Sequence, residues 1–181
     1  MAFADLDNPR MLPLDDCRWT QLYAGGDDAA YVPTWLCRLT DRPDDLVPFE
    51  QERWMLCSDE VTWSASYAAA PFLLEAARRA QPVARFEYIC FLGSVAMYRV
   101  PHDEADQCTA CPRDLEPAFL EALAGAEEIA IAMLPEAKSE ADVRRLLAAL
   151  AAFKGFSGLA RGILDLQHEA RRDLPPEEIA F

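Results

Sequence analysis

The chain has 181 residues, 52% hydrophobic and 27% charged, a balance typical of a folded globular protein. Its 31 acidic and 17 basic residues give a formal net charge of −14. Nucleic acids and acidic membrane surfaces attract cationic proteins, so this charge disfavours both as partners. The length predicts one domain.

The predicted compartment follows from the N-terminus and the cysteines. Residues 1–7 contain two aspartates and no apolar run, unlike a secretory signal or a transit peptide. Charges or prolines interrupt the most apolar stretches well before the 18 residues of a membrane span. We therefore expect a cytoplasmic protein, in which the six cysteines are free thiols.

The chain divides into three predicted parts. Residues 1–14 form an extended arm, because Pro9 and Pro13 interrupt any helical pattern. Residues 15–172 form a single helical domain. Residues 173–181 form a frayed tail.

Apolar residues recur at helical spacing, three and four residues apart, in much of the domain. The predicted helices cover approximately residues 15–24, 29–39, 45–57, 61–80, 82–100, 115–134, 140–154 and 159–170. Gly25 and Gly26 would end the first helix, Pro71 would kink the fourth, and Ser139 would begin a capping box. Because no alternating apolar run lies beside a hairpin turn, the sequence predicts an all-α fold.

The four tryptophans lie at helical positions that favour core packing over an exposed binding surface. They are Trp19, Trp35, Trp54 and Trp63.

Three segments carry a family resemblance: AYVPTWL at residues 30–36, ERWML at 52–56 and WSASYAAAPFLL at 63–74. With them the chain resembles bacterial HEAT-like (armadillo-type) helical repeat proteins, over roughly residues 15–97. The resemblance implies antiparallel helix pairs stacked as a short α-solenoid. The helical spacing itself fits a compact helical bundle equally well.

The resemblance also implies a non-enzymatic binding or regulatory module, including the antidote or immunity type that blocks a toxin. In an up-down helix order, alternate loops emerge at the same end. The first, third and fifth loops carry acidic residues, namely Asp27, Asp28, Asp59, Glu60, Asp103, Glu104 and Asp106. We predict that these residues form an acidic rim that binds a basic protein, with a concave surface of the solenoid as the alternative binding face.

Cys108 and Cys111 suggest the alternative function. Two thiolates at this spacing can hold a tetrahedral zinc ion, and His102 lies close enough in sequence to add a ligand. A single CxxC is a weak signal, and redox exchange would require a βαβ context that this region lacks. We find no Gly-x-Ser-x-Gly, phosphate-binding loop or dinucleotide fingerprint, so we expect no enzyme and no cofactor. The alternative to a binding module is therefore a metal-binding or redox-active protein centred on the loop of Cys108 and Cys111.

Overall fold

The computed structural model describes residues 11–58, 60–101 and 103–172, with side chains described as far as Leu166. The first ten residues of the predicted arm and the predicted tail of residues 173–181 lie outside this part of the chain. Residues 11–14 of the arm pack against the domain, because Leu12 is buried in the core.

Helices account for most of the described residues, which confirms the all-α prediction. The α-helices in this part of the chain are α1 Val32–Asp41, α2 Leu46–Glu52, α3 Ser64–Arg79, α4 Pro82–Met97, α5 Glu116–Met133, α6 Glu140–Phe153 and α7 Ser157–Arg172. Short 3₁₀ turns occupy Cys17–Gln21, Arg53–Met55 and Leu134–Glu136. Two antiparallel hairpins pair β1 Tyr23–Ala24 with β2 Asp27–Asp28, and β3 Cys57–Ser58 with β4 Val61–Thr62.

The first predicted helix is wrong. Of residues 15–24, only Cys17–Gln21 are helical, and they form a 3₁₀ helix. Asp16 caps it by accepting a hydrogen bond from the Arg18 N–H. Gly25 and Gly26, predicted to stop a helix, form the two-residue turn between β1 and β2 with φ values of 61° and 88°. A tight hairpin of this kind requires positive φ at both turn residues, which glycine adopts without strain.

The third predicted helix, residues 45–57, is too long. Helix α2 ends at Glu52, and the chain turns back so that the Trp63 N–H donates to the Leu56 carbonyl oxygen at 3.0 Å. Residues 58–60 are predicted as a turn and a helix cap. Glu60 does lie in a turn, but Ser58 belongs to β3, and the residue that precedes α3 is Trp63, so the cap prediction is wrong.

The later helices follow their local signals. Pro82 begins α4, and Pro71 does not end α3, which continues to Arg79. The capping box is confirmed, since the Ser139 hydroxyl accepts from the Asp142 N–H at 3.0 Å and the Asp142 carboxylate accepts from the Ser139 N–H at 3.1 Å.

Helices α3 and α4 form the centre of the domain. Twelve of the sixteen residues of α3 are buried, which indicates a helix covered on nearly all sides. Helix α3 packs against α1, α4 and α5, while α4 packs against α3, α5, α6 and α7. The remaining helices therefore surround this central pair, and the hairpins lie at one end of it.

Candidate functional site

Three acid-bearing segments meet at the N-terminal end of α3: both hairpins and residues 103–115. The Tyr23 N–H of the first hairpin donates to the Ser64 hydroxyl at 2.9 Å, and the Ser64 N–H donates to the Cys108 carbonyl oxygen at 2.7 Å. The second hairpin leads directly into α3, and the hydroxyl of its Thr62 donates to the Val95 carbonyl oxygen near the end of α4 at 2.9 Å. Loops distant in sequence are thereby gathered on one end of the domain.

The first hairpin presents Asp27 and Asp28, both of which are exposed. Their carboxylates also shape the chain locally. Asp27 accepts a hydrogen bond from the Asp28 N–H at 2.9 Å, and Asp28 accepts one from the Ala30 N–H at 3.0 Å. Each bond uses one carboxylate oxygen and leaves the negative charge facing solvent.

The second hairpin presents Glu60, whose carboxylate lies 3.6 Å from the Arg161 guanidinium of α7. Asp59, also predicted for the acidic rim, lies outside the described residues. Glu60 adopts a φ of 63°, a left-handed conformation that costs a residue with a Cβ about 1–2 kcal/mol.

Replacing Glu60 with glycine should relieve this backbone strain. Compared with Glu60→Ala, Glu60→Gly should raise the free energy of unfolding by about 0.5–1 kcal/mol, even after the entropic cost of glycine. Both variants lose the exposed pair with Arg161, so the difference isolates the backbone. Urea unfolding followed by circular dichroism measures it. An alanine variant as stable as the glycine variant would contradict the left-handed turn.

Residues 103–115 carry the other predicted acids in two different roles. Asp103 and Glu104 are exposed near the start of the segment. Asp106 instead holds the chain, since its Oδ1 accepts from the Cys108 N–H at 2.9 Å and the Thr109 N–H at 3.0 Å. The Thr109 hydroxyl, which donates to the same oxygen at 3.0 Å, and these two backbone N–H groups hold the pKa of Asp106 below its usual range. Asp106 thus positions the Cys108 carbonyl that contacts α3.

The two cysteines of this segment do not show the properties of reactive thiols. Burial raises the pKa of Cys111 to about 12, and the pKa of Cys108 is also raised. Redox-active cysteines instead have lowered pKa values. Among the described residues no group of three or more histidine, cysteine or acidic side chains is placed to hold a metal, and His102 lies outside those residues.

Two arginines beside these segments, Arg18 and Arg99, have acidic partners. Arg18 lies 3.0 Å from Asp16 and 2.5 Å from Asp114, and Arg99 lies 2.5 Å from Glu116. Within the described part of the chain, no ion pair involves four of the predicted acids, which are Asp27, Asp28, Asp103 and Glu104. We refer to these four residues together with Glu60 as the acidic face.

A groove that the sequence did not predict lies beside the first hairpin. It has a volume of about 470 Å³ between α1 and the end of α2. Its lining consists of Tyr31, Thr34, Trp35, Arg38, Gln51, Glu52, Trp54 and Met55. The groove therefore combines aromatic, acidic and basic side chains.

One of the four tryptophans predicted to pack in the core lies instead in this groove. Trp19 and Trp35 are buried as predicted and Trp63 is partly buried, but 53% of Trp54 is exposed. A sequence signal for this exposure exists, since Trp54 lies about 140° around an ideal helix from the buried Phe49. The 3₁₀ turn that follows α2 keeps Trp54 at the surface.

No protein-family model, curated protein or solved structure matches the chain. The resemblance to HEAT-like proteins therefore stays a prediction based on residues 30–36, 52–56 and 63–74. Among the helices in the described ranges, none has both the length and the apolar character needed to cross a membrane.

Proposed function

We propose that this protein is a non-enzymatic interaction module that binds a basic surface of another protein through its acidic face. The observation that carries the proposal is the meeting of both hairpins and residues 103–115 at the N-terminal end of α3. It brings segments with exposed carboxylates to the same end of a protein whose formal net charge is −14. A toxin antidote would be one kind of module that uses such a face.

The charge of this face explains how recognition would begin. Apart from Glu60, the carboxylates of the acidic face form no ion pair within the described residues, so their electrostatic field extends toward solvent. Such fields steer oppositely charged proteins into productive encounters. They affect association rate and orientation more than final affinity. Additional contacts beside the acidic face must then supply specificity.

The helix contacts bear on the proposed architecture. In a stacked solenoid each two-helix repeat contacts only its neighbours. The packing of α3 on α1 and α5, and of α4 on α6, fits such a stack, whereas the contact of α4 with α7 does not. Most of these contacts are therefore common to a HEAT-like stack and to a compact helical bundle. We place the binding face at the acidic end of the domain rather than on a concave surface, because the acid-bearing segments meet at that end.

Neutralising the acidic face should slow binding to the partner. In the test variant, Asp27, Asp28 and Asp103 become asparagine and Glu104 becomes glutamine. The amide oxygens preserve the turn hydrogen bonds of the first hairpin. After capture with the wild-type protein has identified a partner, its association rate should be roughly tenfold lower with this variant at low ionic strength. Stopped-flow fluorescence or surface plasmon resonance measures the rate.

The control neutralises four other exposed acids, by Asp41→Asn, Glu50→Gln, Glu128→Gln and Glu136→Gln. Both variants change the net charge equally, so a difference between them reports the position of the charge. Raising the ionic strength from about 0.01 M to about 0.15 M shortens the screening length from about 30 Å to about 8 Å. This rise in ionic strength should lower the association rate of the wild type much more than that of the acidic-face variant. Equal rates for the two variants would exclude the acidic face as the binding surface.

A further inference from the structure

The groove between α1 and α2 has a rigid floor. The Trp35 and Phe49 rings stack with centroids 6.5 Å apart and planes 8° apart. The Trp35 indole N–H also donates to the Pro48 carbonyl oxygen at 2.9 Å. These contacts fix α2 against α1, so the groove exists before any ligand arrives.

Two exposed aromatic side chains, Tyr31 and Trp54, line the groove. The Trp54 indole N–H donates to the Gln51 carbonyl oxygen at 3.0 Å. Its ring also packs so closely on Gly25 that a Cβ at that position would lie 3.0 Å from Trp54 Cζ3. An exposed tryptophan that is already held in place loses little conformational freedom on binding, a property of interface hot spots.

The Tyr31 end of the groove is acidic. Burial first, and then the carboxylates of Glu52, Asp27 and Asp28, raise the pKa of Tyr31 to about 12. No ion pair among the described residues involves these three carboxylates. Arg38 also lines the groove, but it lies seven residues after Tyr31, which places it about 10 Å further along α1.

We propose that this groove binds an arginine side chain of the partner, with the guanidinium between Tyr31 and Trp54 and beside Glu52. A guanidinium stacks on aromatic rings and pairs with carboxylates, so it matches both components of the acidic end. The inference rests on the proposed function and deepens it. The acidic face attracts the basic surface, and the groove recognises one side chain of it.

N-acetylarginine amide is the probe, and N-acetylcitrulline amide is its uncharged counterpart of nearly the same shape. In a ¹H–¹⁵N spectrum of the full chain, the Trp54 indole signal is assigned by its loss in Trp54→Phe. This signal should shift saturably as the arginine compound is added. The citrulline compound should bind at least about fivefold more weakly. Equal affinity for citrulline, or comparable binding of N-acetylglutamate amide next to Arg38, would overturn the inference.

Two charge variants on the same helix test the role of Glu52. Glu52→Gln should weaken arginine binding roughly fivefold. Glu50→Gln removes the same charge from an exposed residue of α2 that does not line the groove, and it should leave the affinity nearly unchanged. Equal losses in both variants would show a general charge effect and would contradict a specific site at Glu52.

The outcomes separate this inference from the proposed function. If the groove does not bind the arginine compound but the acidic-face variant slows partner association, the inference fails and the proposed function stands. If the groove binds the arginine compound but partner association is insensitive to the acidic face, the proposed function fails and the groove remains an arginine site.

Discussion

Replacing Phe49 with alanine should lower the free energy of unfolding by about 3–5 kcal/mol. Phe49 is fully buried although it belongs to the short helix α2. Its ring stacks on Trp35 and meets Tyr88 and Phe91 edge to face, with centroids 4.8 Å and 5.4 Å away. Removing it leaves a cavity among large rings of α1 and α4, which cannot collapse to fill it. Urea unfolding followed by circular dichroism measures the loss.

Val47→Ala provides a control on the same helix. Val47 is 58% exposed, so its truncation should change the stability by no more than about 0.5 kcal/mol. A Phe49→Ala protein that unfolds at the same urea concentration as Val47→Ala would show that α2 is not anchored through this ring. Since α2 leads into Trp54, a displacement of α2 in Phe49→Ala should also weaken arginine binding in the groove.

Replacing Gly93 with alanine should lower the free energy of unfolding by roughly 2–3 kcal/mol, although alanine is the better helix former. A Cβ at Gly93 would lie 2.5 Å from Ala149 Cβ and 2.7 Å from Ala149 Cα. Backbone atoms of α6 cannot rotate away as a side chain can, so α4 and α6 must separate. The separation would also stretch the two 2.8 Å hydrogen bonds from Arg145 to Glu87 across this interface.

Two other helical glycines give graded controls for this prediction. A Cβ at Gly162 in α7 would meet no atom within 4 Å, so Gly162→Ala should raise the stability by about 0.5–1 kcal/mol. The change in the free energy of unfolding for Gly125→Ala should lie between those for Gly93→Ala and Gly162→Ala. Its Cβ would lie 2.8 Å from Leu74 Cδ2 and 3.0 Å from Arg78 Nη2, and these side-chain ends can move. Thermal or urea unfolding ranks the three variants, and a Gly93→Ala protein as stable as Gly162→Ala would contradict the close helix contact.

The sequence by itself determined the helices whose boundaries depend on near neighbours. Pro82 begins α4, the Ser139 capping box begins α6, and Gly155 follows α6 with a φ of 79°. These signals act within about one helical turn, so they operate whatever the rest of the chain does. The same local logic failed at Gly25 and Gly26, because a pair of glycines suits a hairpin turn as well as a helix end.

Only the tertiary structure decided which surface features lie together. The first hairpin reaches α3 through a hydrogen bond between residues 41 positions apart, and the Cys108 carbonyl reaches the same serine from further along the chain. The contact of Trp54 with Gly25 and the contact of Gly93 with Ala149 likewise join distant segments. Helical periodicity predicts which face of an element is buried, but it carries no information about which distant element covers that face. The acidic residues could therefore be named from the sequence, whereas the groove beside them depended on how α1, α2 and the first hairpin pack.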